Sequence, residues 1–530
     1  MKSSVPDVAI DPSKARSSMT DLSGQKKLLL IFCACVLAAN SALQWLVDDH
    51  AGLIWPSNVI RNWSEFGLFE LGGKLATNPG GHGLPQESII YPGHRAYSLY
   101  PAFLLHRVFG NELGFGLFFL LLSAVVLVSF ASILGKGDRG WVVGGLAILT
   151  PGFVLWPKVL DPNTNVALFG AGYAAVMWWK FRQESLSRGE VAALFALTVA
   201  FTALNWTTAM VHALVFSFFL ASKVPARRIG LYVAMGAVAV VPVLAISILG
   251  KLQGAPAGGG GFGEFWQAYA WGNRGYAEGS SAAVLLVRFF FINVLALAPL
   301  WLVLAVAFLG RALKDFKGAV IPLAPAAAAF VETLVLRNYF CHHPWMASPF
   351  LLLGAVLSLG VLWRGEVKSV GSERVFGLRR PVAWGMILAA FVFGFGMLAA
   401  YRMNRPDLEM RRVVDEGSKR SDVIVVTREA SPELKAEGLP EFLDRKVEAV
   451  EDLNAARGLL LATREIGGDW KLVARSSGGG AIERWLRGPL NWFREKISRR
   501  TKSQIVQVRT YYLYAREEGS SEDTVNSGVR

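Results

Sequence analysis

Residues 26–50 read KKLLLIFCACVLAANSALQWLVDDH. Between the two lysines and the two aspartates, residues 28–46 carry no charged side chain. A helix of that length spans the roughly 30 Å of hydrocarbon in a bilayer. The leader before it is long for a cleaved signal peptide, although Ala39 to Ala42 offers small residues of the cleavage-site kind. The run reads as a retained first membrane span, and it sets the expectation for the rest of the chain.

Ten further apolar stretches follow, near 113–134, 141–157, 163–179, 190–205, 208–222, 229–249, 283–309, 318–336, 345–363 and 382–401. The pair 190–205 and 208–222 is short enough for a re-entrant hairpin as well as for two spans. Apolar residues make up 53% of the 530-residue chain, charged residues 18%, and mean hydropathy is +0.38. That balance excludes a soluble domain, a disordered chain, collagen and a coiled coil. Three cysteines are too few for a disulfide framework.

The net charge of +14 would ordinarily point to nucleic acid. The position of the basic residues says otherwise. With the N-terminus in the cytoplasm and spans alternating, the cytoplasmic segments collect 21 of the 54 Lys and Arg, including Lys26, Lys27, Lys136, Arg139, Lys180, Arg182, Arg227, Arg228, Arg311, Lys314, Arg379 and Arg380. Every cytoplasmic loop agrees with the positive-inside rule, so the charge is a topology signal and no nucleic-acid partner is expected. The chain divides into a cytoplasmic tail (1–27), a transmembrane region (28–401) with a long external loop at 47–112, and an external tail at 402–530. A second external loop, near 250–282, holds the glycines 258–261 and reads as flexible, with the mobility of a lid.

In the tail, DVIVVT (422–427), 458–462 and QIVQVRTYYLYA (504–515) have strand character, and 406–420 and 440–456 read as helices, which together make a small α/β domain. Residues 482–500 fit an interfacial helix or an ordinary domain helix equally.

The chemistry is expected at the membrane edge on the external side. Asp48 and Asp49 follow the first span directly, at the negative end of its helix, where the dipole opposes their charge. An amphipathic stretch follows (57–71), then Asn78-Pro79-Gly80-Gly81, Tyr91-Pro92-Gly93-His94-Arg95, and Tyr100-Pro101 leading into an apolar helix. The next external loop contains Lys158-Val159-Leu160-Asp161-Pro162-Asn163, and a later one Arg337-Asn338-Tyr339-Phe340-Cys341-His342-His343-Pro344.

This order resembles the C-type (GT-C) integral-membrane glycosyltransferases, which include aminoarabinose, arabinofuranosyl and protein O-mannosyl transferases. The resemblance implies an α-helical polytopic membrane protein of about eleven transmembrane helices with a small C-terminal α/β domain outside the cytoplasm. It also implies a location in a bacterial inner membrane with the active site on the external face. The implied reaction moves a sugar from a polyprenyl-phosphate donor to a lipid, glycan or protein acceptor. Asp48 is then the general base that takes the acceptor's proton, with Asp49 in the place where relatives carry Glu and Asp161 orienting the acceptor or a cation. Polyprenyl phosphate is already a good leaving group, so no second acid is obligatory, and direct displacement inverts the anomeric centre.

Arg95 and Arg337, with His94, Lys158, His342 and His343, are the residues expected on the donor; Arg61 and Arg274 lie on the same face. Arginine offers a fork of donors to phosphate, whereas Lys158 offers a point charge. The histidines with Cys341 lack the spacing of a standard zinc site, so a metal is unassigned. The sequence requires no cofactor; a divalent metal is compatible with the acids but has no support of its own. A transporter or flippase of lipid-linked saccharide is the alternative from another class. It would ordinarily show repeats and mid-membrane charges, and this chain has neither.

Overall fold

The computed structural model describes residues 12–46, 54–71, 76–77, 89–90, 99–135, 138–158, 162–182, 185–204, 208–253, 289–290, 293–335, 347–364, 380–403, 406–419, 422–432, 434, 439, 443, 445–476 and 510–516. Its first part is helical. Helix α1 (Pro12–Leu46) begins well before the apolar run. A surface segment follows, with α2 (Ile54–Asn62), a π-helical turn (Trp63–Gly67), the short antiparallel pair β1 (Ala76–Thr77) and β2 (Ile89–Ile90), and α3 (Tyr100–Phe109). Then come α4 (Asn111–Leu134), α5 (Asp138–Ile148), α6 (Pro151–Lys158), α7 (Pro162–Phe181), α8 (Arg188–Leu204), α9 (Thr208–Ala221) and α10 (Ala226–Gln253). The helical part closes with α11 (Ala298–Ala312), α12 (Phe316–Val320), α13 (Ala324–Val335), α14 (Ser348–Arg364) and α15 (Arg380–Met403).

Each of the eleven apolar stretches contains described helix. By length and composition, segments Lys27–Gln44, Gly114–Leu134, Ala226–Val243 and Phe316–Leu334 can each cross a membrane, and four shorter apolar helices accompany them among the described residues. The stretch 141–157, expected as one span, is two helices, α5 and α6. Pro151 is the cause: it disfavours helical backbone at Thr150 and starts a new helix. The Thr150 hydroxyl caps that start, accepting from the Phe153 amide at 3.3 Å and donating to the Ala147 carbonyl at 2.7 Å. The pair 190–205 and 208–222 is two separate helices, α8 and α9, packed with α7 and α10. A capping box opens α8: Ser187 Oγ accepts from the Glu190 amide, and the Glu190 carboxylate accepts from the Ser187 amide.

At the centre stands α14. Every position from Ala347 to Trp363 is buried, as expected of a helix that is apolar all round. It packs on α4, α6, α7, α9, α11 and α13. Small residues permit the closest approaches. A Cβ on Gly354 would lie 2.8 Å from the Ala329 Cβ, and one on Gly145 would lie 3.3 Å from Val36. The outer helices instead expose one apolar stripe each, such as Leu121, Val125 and Val128 on α4, Leu302, Val306 and Leu309 on α11, and Leu388 and Val392 on α15. Stripes of that kind belong against lipid rather than water. The protein is an integral membrane protein.

The C-terminal unit consists of α16 (Pro406–Gly417), β3 (Val423–Thr427), β4 (Lys446–Val450), β5 (Leu459–Ala462), β6 (Trp470–Arg475) and β7 (Tyr512–Arg516). The sheet order is β4-β3-β5-β7-β6, with β3 parallel to both of its neighbours and β7 antiparallel to both of its own. Ile424, Val426 and Leu513 pack with Met410, Val413 and Val414 of α16, while Leu460, Tyr512 and Tyr514 form a separate core cluster. The region 440–456, expected as a helix, instead holds strand β4 and a 3₁₀ turn at Leu453–Ala455. Five residues of β3 align with β4, and that pairing outweighs the local helix preference of Lys, Glu and Ala. Strand β6 was not foreseen, and residues 482–500 and 504–509 lie outside the described residues.

Asp415 joins two buried arginines in this unit, Arg411 at 3.4 Å and Arg445 at 3.3 Å. Both guanidiniums are almost wholly removed from water, so the carboxylate offsets charge that is otherwise expensive to bury. Asp415→Ala is expected to cost the unit about 3 kcal/mol. Limited proteolysis of the full-length protein in detergent should then cut the tail faster while leaving the helical region intact; unchanged tail cleavage contradicts this ledger of the charges.

Candidate active site

Direct contacts fix the direction of each helix around the expected site. Gly145 of α5 faces Val36 of α1, and the Ile148 carbonyl of α5 accepts from Asn40 of α1, so these two helices run parallel. Gly394 of α15 sits beside Leu43 and Leu149, which makes α15 parallel to both. Gly144 lies against Leu127, and Gly140 against Ala131, so α4 runs the other way. Gly360 of α14 meets Ile133 of α4, while Ser348 at the start of α14 meets Gly152 at the start of α6. Ala326 of α13 donates its amide to Ser358 of α14, and Gly354 of α14 faces Ala329, so α13 is antiparallel to α14.

The C-terminal ends of α1, α6, α13 and α15 and the N-terminal ends of α4 and α14 therefore lie at one end of the bundle. Each site residue predicted from sequence adjoins, in chain order, a helix with a terminus at that end. Asp48 and Asp49 follow the last residue of α1, Leu46, by two and three positions. Asp161 separates α6 from α7, and Lys158 is the last residue of α6. Arg337 comes two residues after α13, His342 and His343 shortly before α14, and His94 and Arg95 shortly before α3. Asp48, Asp49, Asp161, His94, Arg95, Arg337, His342 and His343 lie outside the described residues, as does the side chain of Lys158. The glycines 258–261 and Arg274 lie outside them too. The C-terminal unit begins at Pro406, three residues after α15, and so is joined to this same end.

The surface segment is held at the bundle by aromatic and polar contacts. Trp63 is fully buried against Tyr100 and Phe103, with ring centroids 5.4 and 5.6 Å apart. Helix α3 turns into α4 at Gly110, whose φ of +83° suits glycine, and Arg107 donates to the Ser64 carbonyl at 3.3 Å. Arg61, the last basic residue of α2, belongs to this layer. Its charge acts on His106, whose ring stacks on Phe115.

One group of residues escaped the sequence reading. Asn40, Gln44 and Ser123 are buried inside the bundle and form a closed ring of hydrogen bonds. Gln44 Nε2 donates to Asn40 Oδ1 at 2.8 Å and to Ser123 Oγ at 3.1 Å, and Ser123 Oγ donates to Asn40 Oδ1 at 2.8 Å. Asn40 Nδ2 completes the set on the Ile148 carbonyl at 2.6 Å. The available signal was the spacing: Asn40 and Gln44 stand at i and i+4, on one helical face of an otherwise apolar run. Gln44, two residues before the last described residue of α1, is level with Ser123 of α4.

A structure of the same shape is known. A crystal structure of ArnT from Cupriavidus metallidurans bound to undecaprenyl phosphate matches 92% of this chain and 98% of its own, at a TM-score of 0.51 and 12% identity. The chain has the ArnT fold. The apo form of that protein also matches, over 85% of this chain and 96% of its own, at a TM-score of 0.45 and 13% identity. No protein-family model matches the chain, and no curated protein matches it. The match covers both the ArnT-like helical region and the C-terminal sheet, which agrees with the α-helical polytopic architecture expected from sequence.

His106 gives the surface layer a pH response. Burial is the largest influence and Arg61 the next, and together with Arg107 they hold the imidazole below the ordinary histidine value. Its Nδ1 is buried with no hydrogen bond among the described residues. A histidine with a depressed folded-state value contributes stability that is present above the unfolded value, near 6.5, and lost as pH falls through the folded one. Thermal unfolding in detergent between pH 7 and pH 5 should therefore fall more for wild type than for His106→Gln. Equal losses would remove His106 as the cause.

Proposed function

We propose that this protein is a membrane glycosyltransferase that moves a sugar from a polyprenyl-phosphate donor to an acceptor outside the cytoplasm. The observation that carries the reading is the fold shared with ArnT across nearly the whole chain, in a structure bound to undecaprenyl phosphate. The described helices next to which the predicted acids and cations stand in the chain have termini at one end of the bundle, which is consistent with it. In this reading that end is the external one, as the positive-inside rule favours, with the reaction and residues 402–530 outside the cytoplasm and the bacterial inner membrane as the location the resemblance implies.

In this reading Asp48 accepts the proton of the acceptor hydroxyl as its oxygen attacks the anomeric carbon. The bond from that carbon to the phosphate oxygen breaks, its electron pair stays on the phosphate, and the configuration inverts. Asp49 stands beside the base, and Asp161 orients the acceptor. Arg95 and Arg337 provide forked donors for the departing phosphate, with Lys158, His94, His342 and His343 completing its surroundings. The N-terminus of α14, just beyond His343, adds the positive end of its helix dipole. The acceptor is a lipid, a glycan or a protein.

Asp48→Asn in native membranes should reduce transfer of labelled sugar from polyprenyl phosphate by about a hundredfold or more at unchanged expression, the loss usual for a general base. Arg337→Ala should chiefly weaken use of the donor. Full activity in Asp48→Asn would exclude it as the base.

A further inference from the structure

Polar side chains inside a membrane bundle need a reason, because hydrocarbon offers them no partner. The ring of Asn40, Gln44 and Ser123 shows its reason in what it joins. Asn40 lies on α1, and Asp48 follows it by eight residues in the sequence. The Ile148 carbonyl it binds is in the last turn of α5, where helix termination leaves carbonyls without an amide partner. Immediately beyond lie the Thr150 cap and α6, which ends three residues before Asp161. Ser123 fixes the third wall, α4.

Nothing in the packing alone demands this arrangement. The faces of α1, α5 and α15 already interlock through Val36, Gly145, Ile387, Leu43 and Gly394. Apolar contacts of that kind tolerate a slide along the helix axis, whereas three mutual hydrogen bonds anchored to a backbone carbonyl do not. Ser123 donates to Asn40 and accepts from Gln44, and Asn40 Oδ1 accepts from both partners. Loss of any member takes one hydrogen bond from each of the other two, and loss of Asn40 also removes the donor on the Ile148 carbonyl.

We propose that the Asn40–Gln44–Ser123 ring is a positioning device that locks the end of α1 to the α5–α6 joint and thereby sets the placement of Asp48 relative to Asp161. The catalytic part of this inference rests on the function proposed above; the mechanical part does not. A misplacement of about 1 Å at a reacting group lowers turnover on the order of a hundredfold. The expected signature is a loss in kcat with little change in donor KM, because the ring acts through the placement of other groups.

The test uses full-length protein in proteoliposomes. Gln44→Leu and Asn40→Leu should each lower kcat at least about tenfold per folded molecule while donor KM stays within about threefold. Ser123→Ala should behave likewise, and Ser123→Thr, which keeps the hydroxyl, should restore turnover. The comparison variant is His212→Phe. It breaks a second buried network, in which His212 contacts the hydroxyls of Tyr173, Tyr232 and Thr202 among α7 to α10. That variant should lower thermal stability and leave kcat per folded molecule unchanged.

A second readout needs no turnover. With Cys33, Cys35 and Cys341 changed to serine, spin labels on Asp48→Cys and Asp161→Cys should give a narrow distance distribution that Gln44→Leu broadens or shifts. The proposal is overturned if the distribution is unchanged in Gln44→Leu and Asn40→Leu, or if their kcat follows only the folded fraction, as for a purely structural contact. Absence of sugar transfer by wild type with a broadened label distance in Gln44→Leu would sink the proposed function and retain the mechanical lock.

Discussion

Hydrocarbon satisfies no hydrogen bond, and that constraint shapes every part of the helical region. Backbone groups are satisfied within helices, so the chain crosses as helices. Where a helix must end inside the bundle, as α5 does at Ile148, the freed carbonyl needs a side chain from elsewhere, and Asn40 provides it. Water drives no helix together inside lipid, so close packing has to do it. Glycines 145, 152, 354 and 394 let neighbouring helices approach until side chains touch backbone. The fully buried α14 is the axis around which those contacts close.

The same packing fixes helix directions, and direction is what gathers chemistry. Parallel α1, α5–α6 and α15, antiparallel to α4 and α14, bring chain segments far apart in sequence to one end of the bundle. The C-terminal ends of α1, α6 and α13 carry negative dipole ends there, and the N-terminal ends of α14 and α4 carry positive ones. An end with both polarities suits a reaction in which a hydroxyl loses a proton on one side while a phosphate departs on the other. Helix α3 and the buried Trp63 form a layer over that end, beside the lipid-facing stripes.

Much of this was legible in the residues. The uncharged run 28–46 with acids after it, the alternation of basic loops, and the strands at 422–427 and 458–462 follow from hydropathy, charge and β-branching. The break at Thr150–Pro151 was hidden because hydropathy registers apolar length and ignores a proline that redirects a helix without ending the apolar run. Strand β4 was hidden because Lys446, Glu448 and Ala449 favour helix locally, and only pairing with β3 makes them strand. The polar ring was hidden for a different reason. Asn40 and Gln44 are single uncharged polar residues in a long apolar helix, and Ser123, their partner, is far away in the sequence. For the site itself, the sequence identified segments, and the structure shows only that helices adjoining those segments have termini at one end of the bundle.

The central claim is that bond formation, not passage of an intact lipid, is what this end of the bundle performs. The direct measurement follows purified protein in liposomes with a panel of polyprenyl-phosphate-linked sugars and candidate acceptors, monitoring both lipid and sugar. Free polyprenyl phosphate released in step with a new glycosidic bond of inverted configuration is the expected result. Movement of intact lipid-linked sugar across the bilayer, with no polyprenyl phosphate released and no new bond, would contradict it.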